Sequence, residues 1–236
     1  MNSSRRTGDA LGLFLLVLCA ATASAVVAST AANAAEYQVE VLNEAPPADG
    51  LSDEVTSLLA ETGIRVLRGS GTKYCDVWLC RDWPVMPDFQ PSPTVLYPFS
   101  PGQLLGVVRF ARKGSDFRDQ DIARGVYTLR YGLQPVDGAH VGTSPTRDFL
   151  LLLKSENDET AAPLSIKDLN RLSAAAAESS HPLMLAMQRA GESGDFPGIR
   201  HQTEPDWWIL RVQGAAKADS VTALPLEFVV FGHAAE

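Results

Sequence analysis

The residue types best suited to chemistry gather in one turn-rich stretch, where Asp137, His140, Arg147 and Asp148 lie close together in the chain. An imidazole beside carboxylates can act as an oriented general base, or it can share a hard or borderline cation with them. Any metal is expected on His140 and Asp137, and its identity is unknown. A second charged group, Asp116, Arg118, Asp119 and Asp121, precedes it in the chain. Whether the two groups meet depends on which loops share an end of the fold. The plainer reading is that Asp137-Gly138 is a turn and that Arg147 and Asp148 pair at the start of a strand. No P-loop, H-E-x-x-H, G-x-S-x-G or dinucleotide-binding glycine pattern is present. No cofactor is therefore expected. The stretch 191–194, Gly-Glu-Ser-Gly, resembles a nucleophile elbow only loosely, because its second glycine comes one residue early.

Two further features concern ligands and oxidation. Adjacent Trp207 and Trp208 on a strand point to opposite faces, so one is either exposed or covered by another element. An exposed Trp207 would offer a flat surface to a sugar ring, and carbohydrate is a candidate ligand on that ground. Cys75 and Cys80 lie in a segment, 74–81, that reads as a strand. Five steps along a strand cover about 16 Å and place the two side chains on opposite faces. A disulfide needs alpha carbons within about 7 Å. A Cys75–Cys80 bridge would force a turn here, and two free thiols are the favoured reading. His181, His201 and His233 lie far apart in the chain and read as surface or helix-ending residues.

The elements that must position these residues are mostly strands. Residues 36–42 alternate, with Tyr37, Val39 and Val41 on one face. Ser52 can cap a short helix carrying Asp53 and Glu54 in its first turn and Val55, Leu58 and Leu59 on one side. Strands follow at 64–67, 74–81 and 103–111. The proline-dense stretch 82–101, with Trp83, Phe89, Tyr97 and Phe99, reads as a long connection, because proline removes backbone donors. Residues 125–133 form the clearest strand, with Tyr127, Leu129, Tyr131 and Leu133 facing one way and Thr128 and Arg130 the other. The unbroken apolar run 149–153 fits a strand covered on both faces. Ser165 can cap a second helix, 166–178, with Ile166, Leu169 and Leu172 on its apolar side. Residues 183–187 are ambiguous, 191–198 read as loop, and 207–213 and 226–231 read as strands. Strands following strands without regular helix alternation exclude a doubly wound parallel sheet. The expected fold is mainly β, an antiparallel β-sandwich of about nine strands with two short peripheral helices.

The N-terminus carries the pattern of an export signal. Arg5 and Arg6 precede an uncharged run through Leu11 to Leu18, and Ala23 and Ala25 supply a cleavage site. The apolar run is about half of what a bilayer span needs. Residues 1–25 are expected to be a cleaved signal peptide, with an alternative cut near 34–35. Residues 26–35 then form a short disordered N-terminus, and 36–236 form one domain. Thr7-Gly8-Asp9 after the arginine pair fits the twin-arginine route poorly, and Leu18 before Cys19 argues against lipidation. Removing Arg5, Arg6 and Asp9 with the signal leaves 18 basic and 27 acidic residues, a balance of −9. That charge excludes nucleic acid and anionic membrane surfaces as favoured partners.

The run 125–153, containing Gly-Val-Tyr-Thr-Leu-Arg-Tyr, Pro-Val-Asp-Gly-Ala-His and Arg-Asp-Phe-Leu-Leu-Leu, resembles a pattern in uncharacterised exported bacterial proteins of unknown function. The resemblance extends loosely to 75–84. It implies no activity, only that the loop around His140 belongs to a shared framework. The expected protein is soluble, periplasmic or secreted, with no membrane span once processed. It would be a non-catalytic module of the bacterial envelope binding a small ligand or an envelope protein, with Asp137, His140, Arg147, Asp148 and Trp207 as candidate contacts. The alternative is a small exported hydrolase or metal-dependent enzyme built on Asp137, His140 and Asp148.

Overall fold

Thirteen strands and two short α-helices make up the structure, a computed structural model that describes residues 36–137 and 144–234. The N-terminal stretch expected to be a signal peptide and His140 lie outside the described residues. The chain runs β1 (Tyr37–Leu42), α1 (Asp53–Thr56), β2 (Gly63–Arg68), β3 (Thr72–Leu79), β4 (Asp82–Pro84) and β5 (Leu104–Phe110). A small hairpin follows, β6 (Gly114–Ser115) and β7 (Asp121–Ile122), then β8 (Gly125–Leu133) and β9 (Asp148–Lys154). A 3-10 turn at Ser155–Asn157 leads to α2 (Ile166–Ala176), β10 (Met184–Gln188), β11 (Gly198–Gln202), β12 (Trp207–Lys217) and β13 (Val221–Phe231).

Ten strands form a single sheet in the order β1-β2-β3-β5-β8-β9-β10-β13-β12-β11, each antiparallel to its neighbours, and β4 joins alongside β12 in parallel. The mainly β, antiparallel expectation holds. The two-sheet sandwich does not describe it well: the sheet is open and strongly curled, a half-barrel. Curling brings Tyr37 of β1 against Trp208 and Phe231 from the far end, with ring centroids 5.3 and 5.2 Å apart. The right-handed twist of successive strands accumulates into such curvature.

Side-chain alternation divides the sheet into two apolar layers. Along β8, Tyr127, Leu129 and Tyr131 join the larger inner cluster, as the alternation predicts. Along β9, Leu150 and Leu152 face inward, whereas Phe149, Leu151 and Leu153 belong to an outer cluster covered by Leu169 and Leu172 of α2 and by Phe117. The continuous apolar run therefore reads correctly as a strand covered on both faces. Burial of these side chains stabilises the fold by about 1.5–3 kcal/mol each relative to exposure.

Several local expectations change. Val41 is 56 % exposed, and Leu42 instead turns into the core. Ser52 caps α1, accepting a hydrogen bond from the Val55 amide, but the helix lasts only four residues, and Leu58 lies outside the apolar contact. Ser165 caps α2, accepting from the Asp168 amide, while Ile166 is exposed and Leu169, Ser173 and Ala176 carry the buried face. The proline-dense connection contributes β4, whose Trp83 is fully buried and donates its indole N–H to the Leu105 carbonyl. Leu96, Tyr97 and Phe99 are also core residues, so this long segment is held down by its aromatics rather than lying loose over an edge. Residues 184–188 resolve as a strand because they complete the ladder between β9 and β13.

Candidate functional site

Asp148 occupies the start of β9 and is wholly buried. Its carboxylate accepts hydrogen bonds from the Leu96 and Tyr97 amides and from the Tyr131 hydroxyl, at 2.7–3.2 Å. Burial raises its carboxyl above the usual carboxylate range, and these hydrogen bonds pull only part of the way back. Asp148 thus anchors the 96–97 segment against the sheet and is not an open ligand, which corrects its place among the candidate contacts. Arg147 donates from its side chain to the Gln134 carbonyl at 2.8 Å instead of pairing with Asp148. Asp137 is exposed at the end of the segment that leads to the undescribed residues.

The second charged group serves another junction. Asp116 is buried, and its carboxylate accepts from the Arg118 and Gln120 amides, the Gln120 side chain and the Met184 amide, at 2.8–3.0 Å. Asp121 pairs with Lys113 at 2.6 Å, and Asp119 faces His233 at 3.4 Å. The buried acid of each group, Asp148 in one and Asp116 in the other, is committed to a separate backbone segment. Among the described residues no group of three or more His, Cys, Asp or Glu side chains could hold a metal ion.

Trp207 is 5 % exposed and Trp208 8 % exposed, so neither offers a sugar-stacking surface. Trp207 packs against Phe117 on the outer face and donates its indole N–H to the His233 carbonyl at 2.7 Å. Trp208 faces inward beneath His201, whose ring stacks on it at 4.4 Å and meets Asp206 at 2.5 Å. Cys75 and Cys80 are buried free thiols. The stretch 191–194 leads into strand β11 rather than a helix, which removes the strand–turn–helix context that a nucleophile elbow requires.

A cleft that the linear pattern did not single out lies on the outer face of the sheet near β1. Strand register creates its floor. Glu40 of β1 stands opposite Arg65 of β2, Arg65 opposite Asp76 of β3, Asp76 opposite Arg109 of β5, and Arg109 opposite Val126 of β8. Cross-strand neighbours lie on one face, so opposite charges alternate across the sheet. Asp76, 2 % exposed, accepts from Arg65 at 2.7 and 3.2 Å and from Arg109 at 2.6 and 3.2 Å. Burial alone would raise its carboxyl, but the hydrogen bonds from Arg65 and then Arg109 outweigh it and hold it below the usual range. The Arg109 guanidinium also lies 5.0 Å over the Trp78 ring, and the Trp78 indole donates to the Glu44 carbonyl.

Above this floor the cleft has a volume of about 560 Å³. One wall comes from the segment after β1, with Glu44, Pro47 and Asp49; the others come from Lys73, Arg109, Ala111, Arg124 and Val126. Lys73 and Arg124 are exposed and have no ion-pair partner among the described residues. A searchable signal existed: Arg65, Asp76 and Arg109 each sit between two apolar neighbours in a strand. Their pairing follows only from register between strands distant in sequence.

Among the described residues no helix is long and apolar enough to cross a membrane. Comparisons with protein-family models, with curated proteins and with solved structures return no match for this chain.

Proposed function

We propose that this chain is an exported, non-catalytic binding protein of the bacterial envelope, and that it takes a small ligand in the cleft over Arg65, Asp76 and Arg109. The single observation that carries this reading is the cleft itself: about 560 Å³, walled by charged and apolar side chains over an ion-pair floor centred on the buried Asp76. That volume is within the usual range for small-molecule sites, and a floor pinned by cross-strand pairs is preorganised, which lowers the ordering cost of binding. Export rests on the basic, apolar and small-residue succession of residues 1–25. A binding role is favoured over hydrolysis because the buried acids Asp116, Asp148 and Asp158 are each saturated by framework donors.

The test is an amide-resolved NMR screen of the purified protein against a library of neutral, cationic and anionic small molecules. Ligands that shift the Ala111, Gly125 and Val126 amides support the cleft as the site. Ligands that bind elsewhere, or no ligand at all, refute it.

A further inference from the structure

Resting on the cleft as the ligand site, we infer that its ligand is a small organic monocarboxylate with an apolar body, whose head group displaces Glu44 from between Arg65 and Arg109. Two guanidiniums converge on the single carboxylate of Asp76, which is fully engaged. Glu44 answers the remaining positive charge weakly. Its Oε1 lies 3.3 Å from Arg65 Nη2 and its Oε2 3.4 Å from Arg109 Nη2, and its side chain is 51 % exposed. Charge-assisted N–H···O bonds are ordinarily about 2.7–2.9 Å. One carboxylate with an oxygen on each of two guanidiniums is the geometry in which a ligand carboxylate would be clamped, and here a loosely seated side chain from an irregular segment holds that position.

Charge balance points the same way. Lys73, Arg109 and Arg124 line the cleft with Glu44, Asp49 and Asp76, three cations against three acids. Withdrawal of Glu44 leaves one uncompensated cation, which a monoanion restores. Arg124 and Lys73, exposed and also lining the cleft, supply attraction during approach. Pro47 and Val126 provide apolar surface beside the clamp, suited to a short hydrocarbon chain.

The experiment is calorimetric and NMR titration of the purified protein with hexanoate, hexanamide, hexylamine and inorganic phosphate. Hexanoate is expected to shift the cleft amides and to bind at least about tenfold more tightly than the other three. Glu44→Gln removes the competing carboxylate and should tighten hexanoate several-fold. Arg109→Gln should abolish binding; because it also disturbs Asp76, Arg124→Gln at an exposed position serves as the second variant and should weaken binding several-fold. If hexanamide, hexylamine or phosphate matches hexanoate in the cleft, the carboxylate assignment fails while the cleft stands. If Glu44→Gln leaves hexanoate affinity unchanged or weaker, the displacement fails. If none of the four, and nothing in the wider library, shifts the cleft amides, the cleft reading fails with it.

Discussion

Arg130→Met would remove a buried charge whose every donor is used. Arg130 and Asp158 are both wholly buried on the outer face of the sheet. Arg130 Nε and Nη2 donate to the two oxygens of Asp158 at 2.6 and 2.8 Å; Nη1 donates to the Gly102 and Ala162 carbonyls, and Nη2 to the Thr160 carbonyl. All five guanidinium N–H groups are used. Methionine fills comparable volume but leaves the Asp158 carboxylate buried with only the Thr128 hydroxyl as a side-chain donor. Removing one partner of such a pair costs about 3–5 kcal/mol, which for a chain of this size lowers Tm by roughly 10 °C. Asp158→Leu should cost a similar amount for the mirror-image reason. The double variant should lose much less than the two losses combined, because no unpaired charge remains and the Thr160 and Ala162 carbonyls lie close enough to the surface for water to reach them. Urea unfolding followed by tryptophan fluorescence measures all three. The reasoning is refuted if Arg130→Met costs under about 1 kcal/mol, or if the losses of the two single variants simply add.

Acid titration should separate two kinds of buried aspartate. Asp76 is held low in the fold, so its contribution is present above the unfolded carboxylate pKa of about 3.9 and is lost as pH falls through its folded value; Asp76→Asn should flatten the acid limb of stability measured by urea midpoints. Asp148 is held high, so the folded state binds more protons between about 3.9 and its raised value, and stability falls as pH rises through that window. Asp148→Asn should reduce that fall, and an unchanged profile would contradict the assignment. Burial pushes the Cys80 thiol up to about 12 and raises Cys75 as well. Both should therefore react with a thiol reagent at mild alkaline pH far more slowly in the native protein than in denaturant, and rapid native labelling would refute their burial. Gly102 has φ +85°, and a β-carbon there would lie 2.0 Å from the Leu164 carbonyl oxygen. Gly102→Ala should destabilise by about 2 kcal/mol or more in urea unfolding, and a neutral result would show that this loop relaxes freely.

Periodicity alone was enough to place β8 and β9, because a strand buried on one or both faces must present side chains in steps of two. Ser52 and Ser165 were legible as helix caps because a hydroxyl that satisfies a free amide acts within three residues. The acid and arginine at 147–148 were visible as residues, but their roles were not. Asp148 looked like part of a site until the fold laid the 96–97 amides and Tyr131 on it, turning a candidate ligand into a buried anchor. Trp207 and Trp208 show the same division. Strand alternation fixed their opposite directions, while Phe117 and His201, from other elements, decided that neither stays exposed. The cleft was hidden for a related reason. Arg65, Asp76 and Arg109 are scattered along the chain, and no local pattern joins them; only the pairing of β2, β3 and β5 sets them side by side. Local rules acting over a few residues make the long strands and the helix caps legible in this protein, whereas its curvature, its saturated acids and its cleft arise from strand register, a property of the folded chain.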